Sequence, residues 1–276
     1  MQWNILHRTH YAYEMAVRDS FNEVRLKPVT NEHQRTENFL LKIQPACKLR
    51  HYEDLYHNWV HHFDIPEPHT SLTIESQCQV TTLFQALPLD AMPADLARLE
   101  ECARSERCFD FLQASEYVDP DPEVWRLAVD ITHGCTDIWQ ASVAIMRYVH
   151  AQLTYTPLST HVHTHMREVL QQRQGVCQDF AHVMLGLCRS IRIPALYVSG
   201  YLAVENASAT HAWVEVFIPD IGWRALDPTH NRTADESYIK LAVGRDYSDV
   251  QPVRGRYRGN TKWSMQVEVQ IEPVKS

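Results

Sequence analysis

The spacing of apolar residues changes period several times along this chain, and the order of those changes restricts the fold more than any single motif does. Trp3, Ile5, His7, Thr9, Tyr11 and Tyr13 lie on one face of a period-two run, the pattern of a strand with one side buried. Strand-like runs follow at 39–43, 55–60 and 72–80, separated by turns that contain Pro, Asn and Asp. Residues 1 to about 85 therefore read as an antiparallel β unit. From Ala94 the period lengthens, with Leu96, Leu99, Cys102 and Ala103 at helical spacing. Helices are predicted over 124–132 and 138–153, the first opened by Asp119-Pro-Asp-Pro122, because Asp caps a helix and Pro is accepted in its first turn. A third helix over 174–190 carries Phe180, Met184, Leu187 and Cys188 on one face, with Ile191 just beyond. After Pro194 strands return at 195–202, 211–218 and 223–226, and 263–271 alternates once more. No internal repeat is visible.

The fold class is α+β. The character changes at Leu87-Pro-Leu-Asp-Ala-Met-Pro93, so the expected division is an amino-terminal β domain at 1–88 and a second domain at 89–276, with a helical lead-in at 94–153 and a core at 154–276. A chain of 276 residues has room for two such domains.

The net charge of −8 provides no basic stripe for phosphates, and the densest basic patch, Arg254-Gly-Arg-Tyr-Arg258, is short; no nucleic-acid partner is expected. No run approaches the ~20 apolar residues of a membrane helix, so no membrane partner is expected either. The start Met1-Gln-Trp-Asn-Ile-Leu-His-Arg has neither the basic start nor the apolar stretch of a secretory leader, and the expected location is the cytoplasm. Seven scattered cysteines, at 47, 78, 102, 108, 135, 177 and 188, contain no C-x-x-C pair and form no disulfide framework or zinc ribbon.

One cysteine differs from the rest in its setting. Cys177 follows a glycine in Gly175-Val-Cys-Gln-Asp-Phe180 and opens the third helix. Unpaired N–H groups and the positive end of the helix dipole favour a thiolate there. His211 opens one strand and Asp227 closes another, in Gly222-Trp-Arg-Ala-Leu-Asp-Pro-Thr229. Adjacent antiparallel strands can set an imidazole beside a carboxylate, with the cysteine helix packed over both. The imidazole can then take the thiol proton and return it to a leaving amine, while the carboxylate fixes the tautomer. Cys188 lies on the apolar face of the same helix and reads as packing.

The stretches Gly175-Val-Cys-Gln-Asp-Phe-Ala-His182, Ile193-Pro-Ala195, Tyr197-Val-Ser-Gly-Tyr-Leu202, His211-Ala-Trp-Val-Glu215 and Gly222–Thr229 resemble the core of the bacterial transglutaminase-like family, whose members are generally assigned as cysteine proteases. Gly244-Arg-Asp-Tyr-Ser-Asp-Val250, Pro252 and Gly255 resemble the family's tail, and Tyr11-Ala-Tyr13 and Arg25-Leu-Lys-Pro28 its amino-terminal β domain. The resemblance implies a papain-like core with Cys177, His211 and Asp227 as the triad, acting on a peptide or amide through a thioester, and it implies no cofactor. The chain departs from the family at Arg192 and Leu196, which flank Ile-Pro-Ala where the family has Gly and Arg. Hydrolysis and transamidation both fit the triad. Hydrolysis is favoured by the usual assignment and by the lack of a D-x-D-x-D-G calcium loop.

Attack on an amide also needs donors for the developing oxyanion. The Cys177 N–H is one candidate, with the Tyr155 hydroxyl or the Gln171 side chain as a second. Asp179, in the helix's first turn, reads as structural. Trp213 and Trp223 read as core or cleft wall. His161, His163 and His165 would face one way on an extended segment and are weak metal candidates, without an evident fourth ligand. A non-catalytic binding module and a metal protein built on those histidines are the other classes. Loss of activity to chelators rather than to thiol alkylation would single out the metal protein.

Overall fold

A computed structural model describes residues 1–83, 87–204 and 207–274 of the chain. The period-two start becomes an unusually long strand, β1 (Gln2–Val24), on which the first sheet is built. Trp3, Ile5, His7, Thr9 and Tyr13 are all buried, as their alternation requires. β2 (Gln34–Gln44), β3 (Arg50–Glu53), β4 (Trp59–Ile65) and β5 (His69–Thr82) complete the amino-terminal part, in the order β2-β5-β1-β4-β3. The register of β1 breaks between Ala12 and Val17. Its first half pairs with β5, and its second half, from Ser20, with β4.

The expected strand over 55–60 is a turn and the start of β4. Asp54 Oδ1 accepts from the backbone N–H of Tyr56 and Asn58, each at 3.0 Å, and His57 has φ +61°. A carboxylate that caps its own turn in this way overrides the apolar pattern around it.

The lead-in contains two short helices, α1 (Leu99–Arg104) and α2 (Glu106–Phe109), then α3 (Pro122–Ile131) and α4 (Ile138–Gln152). Asp121 Oδ1 caps α3 through the N–H groups of Glu123 and Val124 at 2.8 Å, with Pro122 in the first turn. A two-residue strand, β6 (Thr154–Tyr155), helix α5 (Met166–Gln172) and β7 (Gln174–Gly175) lead into α6 (Cys177–Ser190). Then come β8 (Ala195–Val204), β9 (Ala207–Ile218), β10 (Gly222–Asp227), β11 (Arg232–Thr233) and β12 (Tyr238–Gly244), an antiparallel sheet in the order β11-β10-β9-β8-β12. Ala212, Val214, Val216 and Ile218 of β9 share a core with Phe180, Val183, Met184 and Leu187 of α6.

A short helix, α7 (Tyr247–Val250), precedes β13 (Val253–Arg258) and β14 (Trp263–Pro273), and both strands return to β1. The tail that the sequence reading groups with 89–276 is thus part of the first sheet. Its alternation finds a partner on the open side of β1, from Trp3↔Pro273 to Tyr13↔Trp263.

The two sheets are locked together at β12. The Asn58 amide accepts from Val243 N–H and donates to Val243 O, both at 2.8 Å. Gln34 does the same to Lys240, also at 2.8 Å in each direction. Two side-chain amides therefore satisfy the edge of the second sheet as a neighbouring strand would. His7 crosses the same boundary, its Nδ1 2.8 Å from the Tyr201 hydroxyl, and burial lowers its pKa to about 4. Among the described residues no helix is long and apolar enough to cross a membrane.

Candidate active site

Gly175, Cys177 and Asp179 are placed by one local device. The Asp179 carboxylate, almost wholly buried, folds back to accept from Val176 N–H at 2.7 Å, one half of a capping box at the start of α6. A β-carbon on Gly175 would lie 2.6 Å from Asp179 Cβ, so the helix can start this way only with glycine there. Thr160 Oγ1 donates to the same carboxylate at 2.6 Å, and burial raises the Asp179 pKa. The structural reading of Asp179 thus holds, its charge spent on holding the helix start. Cys177 is the first residue of the helix and half-buried. Its N–H precedes the first intrahelical bond and is available to an oxyanion. The other cysteines are also free thiols, and burial pushes Cys78, Cys108 and Cys188 up to about 12.

The strand register supplies the rest. β10 pairs with β9 through Leu226↔Val214, which sets Asp227 on the sheet face that carries Trp213 and His211. His211 Nε2 lies 2.7 Å from Asp227 Oδ2, and Cys177 lies close enough to the same ring to favour its charged form. Burial opposes charge on this imidazole. The hydrogen bond to Asp227 and the nearness of Cys177, with the charges of both, outweigh burial and raise its pKa to about 9. Trp213 stacks on His211 with ring centroids 6.2 Å apart. That tryptophan fits because Gly200 lies beneath it; a β-carbon there would come within 2.4 Å of the ring.

Asp227 is fully buried and surrounded by donors. Oδ2 accepts from His211, from His230 Nδ1 at 2.8 Å and from the Tyr238 hydroxyl at 2.6 Å, while Oδ1 accepts from the N–H groups of Thr229 and His230 at 2.8 and 3.2 Å. Burial alone would raise this carboxyl's pKa, but the three side-chain donors hold it far below the usual range. His230 and Tyr238 escape a sequence reading that searches only for a triad. Yet Asp227-Pro-Thr-His230 puts the second imidazole three residues beyond the carboxylate, and that spacing is visible in the sequence.

Of the two further oxyanion candidates, Tyr155 lies close enough for Cys177 to raise its pKa, although burial is the larger cause. Gln171 is exposed on α5 and lines a cleft between α3, α4 and α5 instead. The histidine run is not extended. His163 Nδ1 bonds the Tyr117 hydroxyl at 2.8 Å, and His165 Nδ1 caps α5 by accepting from Arg167 N–H at 3.3 Å. Among the described residues, the only trio of His, Cys, Asp or Glu donors with close mutual spacing is His211, Asp227 and His230, within 4.8 Å of one another and hydrogen-bonded together. His182 is wholly buried against Tyr117, accepts from Tyr247 N–H at 3.2 Å, and is kept neutral by burial, its pKa lowered to about 3. Trp213 belongs to the core under the site, and half-buried Trp223 lines a cleft of about 610 Å³ with Phe111 and Tyr56.

Comparison with known proteins bears on the family and the fold. Residues 126–228 match the transglutaminase-like superfamily core, and residues 3–81 match the bacterial transglutaminase-like N-terminal region. The chain belongs to the transglutaminase-like superfamily. An uncharacterized protein of Mycobacterium leprae is 35% identical over 277 residues, covering 97% of each chain. A protein-glutamine gamma-glutamyltransferase of Pseudomonas aeruginosa is 33% identical over 139 residues, 44% of this chain and 21% of that one. A solved structure from Cytophaga hutchinsonii, described as a "putative cysteine protease", has the same fold, with a TM-score of 0.82, 22% identity, and coverage of 100% of this chain and 92% of that one. Within this superfamily fold the departure at Arg192 has a local cost. Arg192, just past the C-cap residue Ile191 of α6, has φ +68°, the left-handed conformation that a glycine adopts without strain.

Proposed function

We propose that this protein is a cysteine-nucleophile amide or peptide hydrolase. The observation that carries the reading is the grouping of Cys177, His211 and Asp227, with the imidazole near the thiol and 2.7 Å from a buried carboxylate. His211 takes the Cys177 proton, and the thiolate adds to the carbonyl carbon of the amide. The oxyanion forms against the Cys177 N–H, with the Tyr155 hydroxyl as the second candidate donor. Collapse breaks the C–N bond, and His211 gives its proton to the departing amine. A thioester on Cys177 remains. Water then attacks it with His211 as base, releasing the acid and restoring the thiol. Asp227 holds the imidazole in the tautomer that presents Nδ1 to the sulfur.

Attack by an amine on the same thioester would give transamidation, a second reading favoured by the partial likeness to the Pseudomonas aeruginosa glutamyltransferase. Iodoacetamide labelling of the native protein from pH 5 to 9, mapped to each cysteine, tests the nucleophile. The expected result is fast labelling confined to Cys177 at pH 6 and slowed by His211→Ala. Uniform slow labelling with the ~8.5 midpoint of an ordinary thiol would overturn the proposal. Mass analysis of peptide products with and without an added primary amine separates hydrolysis from transfer.

A further inference from the structure

Three apolar side chains stand in solvent just before the helix that carries Cys177. Tyr155 is 53% exposed, Leu158 97% and Val162 48%. Single exposed apolar residues are ordinary on protein surfaces. These three differ because the backbone that presents them is pinned to the helix start at several points. Thr156 N–H donates to Gly175 O at 2.9 Å, and Thr160 Oγ1 donates to Asp179 Oδ2 at 2.6 Å. Gly175 and Asp179 flank Cys177 symmetrically, two positions away on either side. The turn between Thr156 and Thr160, which carries Leu158, therefore spans the start of α6.

Further bonds stiffen it. Ser159 Oγ donates to Thr156 O at 2.7 Å, Gln178 Nε2 donates to Val162 O at 3.0 Å, and His161 N–H donates to Thr164 Oγ1 at 2.9 Å. Beyond Val162, His163 is tied to Tyr117. Leu158 itself has φ +63°, a conformation disfavoured for leucine and retained here with the side chain in water. Tyr155 completes the stretch on the side of the nucleophile, close enough to Cys177 for that residue to add to the effect of burial in raising its phenol's pKa.

We infer that residues 155–162 form the specificity wall of the site and that the substrate is a peptide with a large apolar side chain beside the attacked amide. That side chain would pack on Leu158 and Val162 while the carbonyl faces Cys177, and substrates with a small polar residue there would lose this contact. The inference rests on the reading of Cys177 as the nucleophile.

The test uses two acetyl-dipeptidyl chloromethyl ketones that differ only in the residue next to the warhead, leucine or serine. Inactivation rates are normalised to iodoacetamide labelling of Cys177 in the same protein. The wild-type chain is expected to react about tenfold faster with the leucine reagent, the preference that covering part of one aliphatic side chain provides. Leu158→Asn combined with Val162→Thr should reduce that ratio at least threefold. Asparagine tolerates the left-handed backbone, so the turn is retained. A wild-type ratio near one, or a ratio unchanged in the double variant, with rapid iodoacetamide labelling of Cys177, overturns the specificity wall alone. Slow, unselective iodoacetamide labelling overturns the nucleophile reading and the wall with it.

Discussion

His211 Nε2 and Asp227 Oδ2 are 2.7 Å apart across two neighbouring strands, and the carboxylate has no exposed surface. Their proximity follows from one register, Leu226↔Val214, so the imidazole's partner is fixed by the sheet itself. Its effect is to raise the His211 pKa to about 9, so that the ring holds well a proton taken from Cys177.

This raised pKa sets a pH dependence of stability. A group whose folded pKa exceeds its unfolded value stabilises fully below the unfolded value, ~6.5 for histidine. The contribution of His211 should therefore fade between that pH and about 9. In Asp227→Asn the thermal midpoint should lose most of its decline across this window, and Cys177 alkylation at pH 6 should slow at least about tenfold, one pKa unit's worth of thiolate. Calorimetry at pH 6, 7.5 and 9 checks the first expectation and iodoacetamide kinetics the second.

His230 shares the Asp227 oxygen with His211. His230→Ala removes one donor from a buried carboxylate, which should slow Cys177 labelling about threefold to tenfold, the kinetic equivalent of ~1 kcal/mol. His230→Asn keeps an N–H donor and should recover most of the rate. If both variants label like the wild type, the second imidazole has no part in holding Asp227.

Asn58 is fully buried and bonds both polar groups of Val243. Asn58→Ala leaves a backbone N–H and a C=O without partners at the junction of the two sheets, a loss of about 2–4 kcal/mol. Denaturant unfolding should register it. A change under ~0.5 kcal/mol, typical of an exposed site, would mean that water replaces the amide.

Arg192 sits at φ +68° immediately after α6. Glycine is relaxed in that conformation, so Arg192→Gly should be neutral or stabilising by about 0.5–1 kcal/mol, against the usual cost of adding a glycine. Urea midpoints for the pair decide the sign.

Much of this architecture was legible before any coordinates. The alternation from Trp3 to Tyr13, the cap in Asp119-Pro-Asp-Pro122, and Cys177 at a helix start are local signals, and the structure follows them. What escaped was long-range or carried by side chains. A tail strand shows its period but not its partner, so the pairing of β14 with β1 is not visible in the sequence; and an Asp-capped turn replaces the strand expected at 55–60. The histidine run is a ligand set only on an extended backbone. Once folded, His163 and His165 each serve a neighbouring hydrogen bond. Gln171 lines another cleft, because a residue type in a sequence does not say which side of α5 it occupies.

The long strand β1 also sets an order of events during synthesis. Its first half pairs with residues up to Pro273, and its second half with residues up to Arg258, so β1, made before its partners, is among the last strands to be enclosed. Contacts this distant in sequence close slowly. Until they close, Ile5 and Tyr13 lack β14 alongside, and the growing chain presents an open strand edge to its surroundings. A stop codon anywhere before β14 would leave that edge exposed for good. Loss of β14 should therefore appear as aggregation during expression, well before any substrate is offered to Cys177.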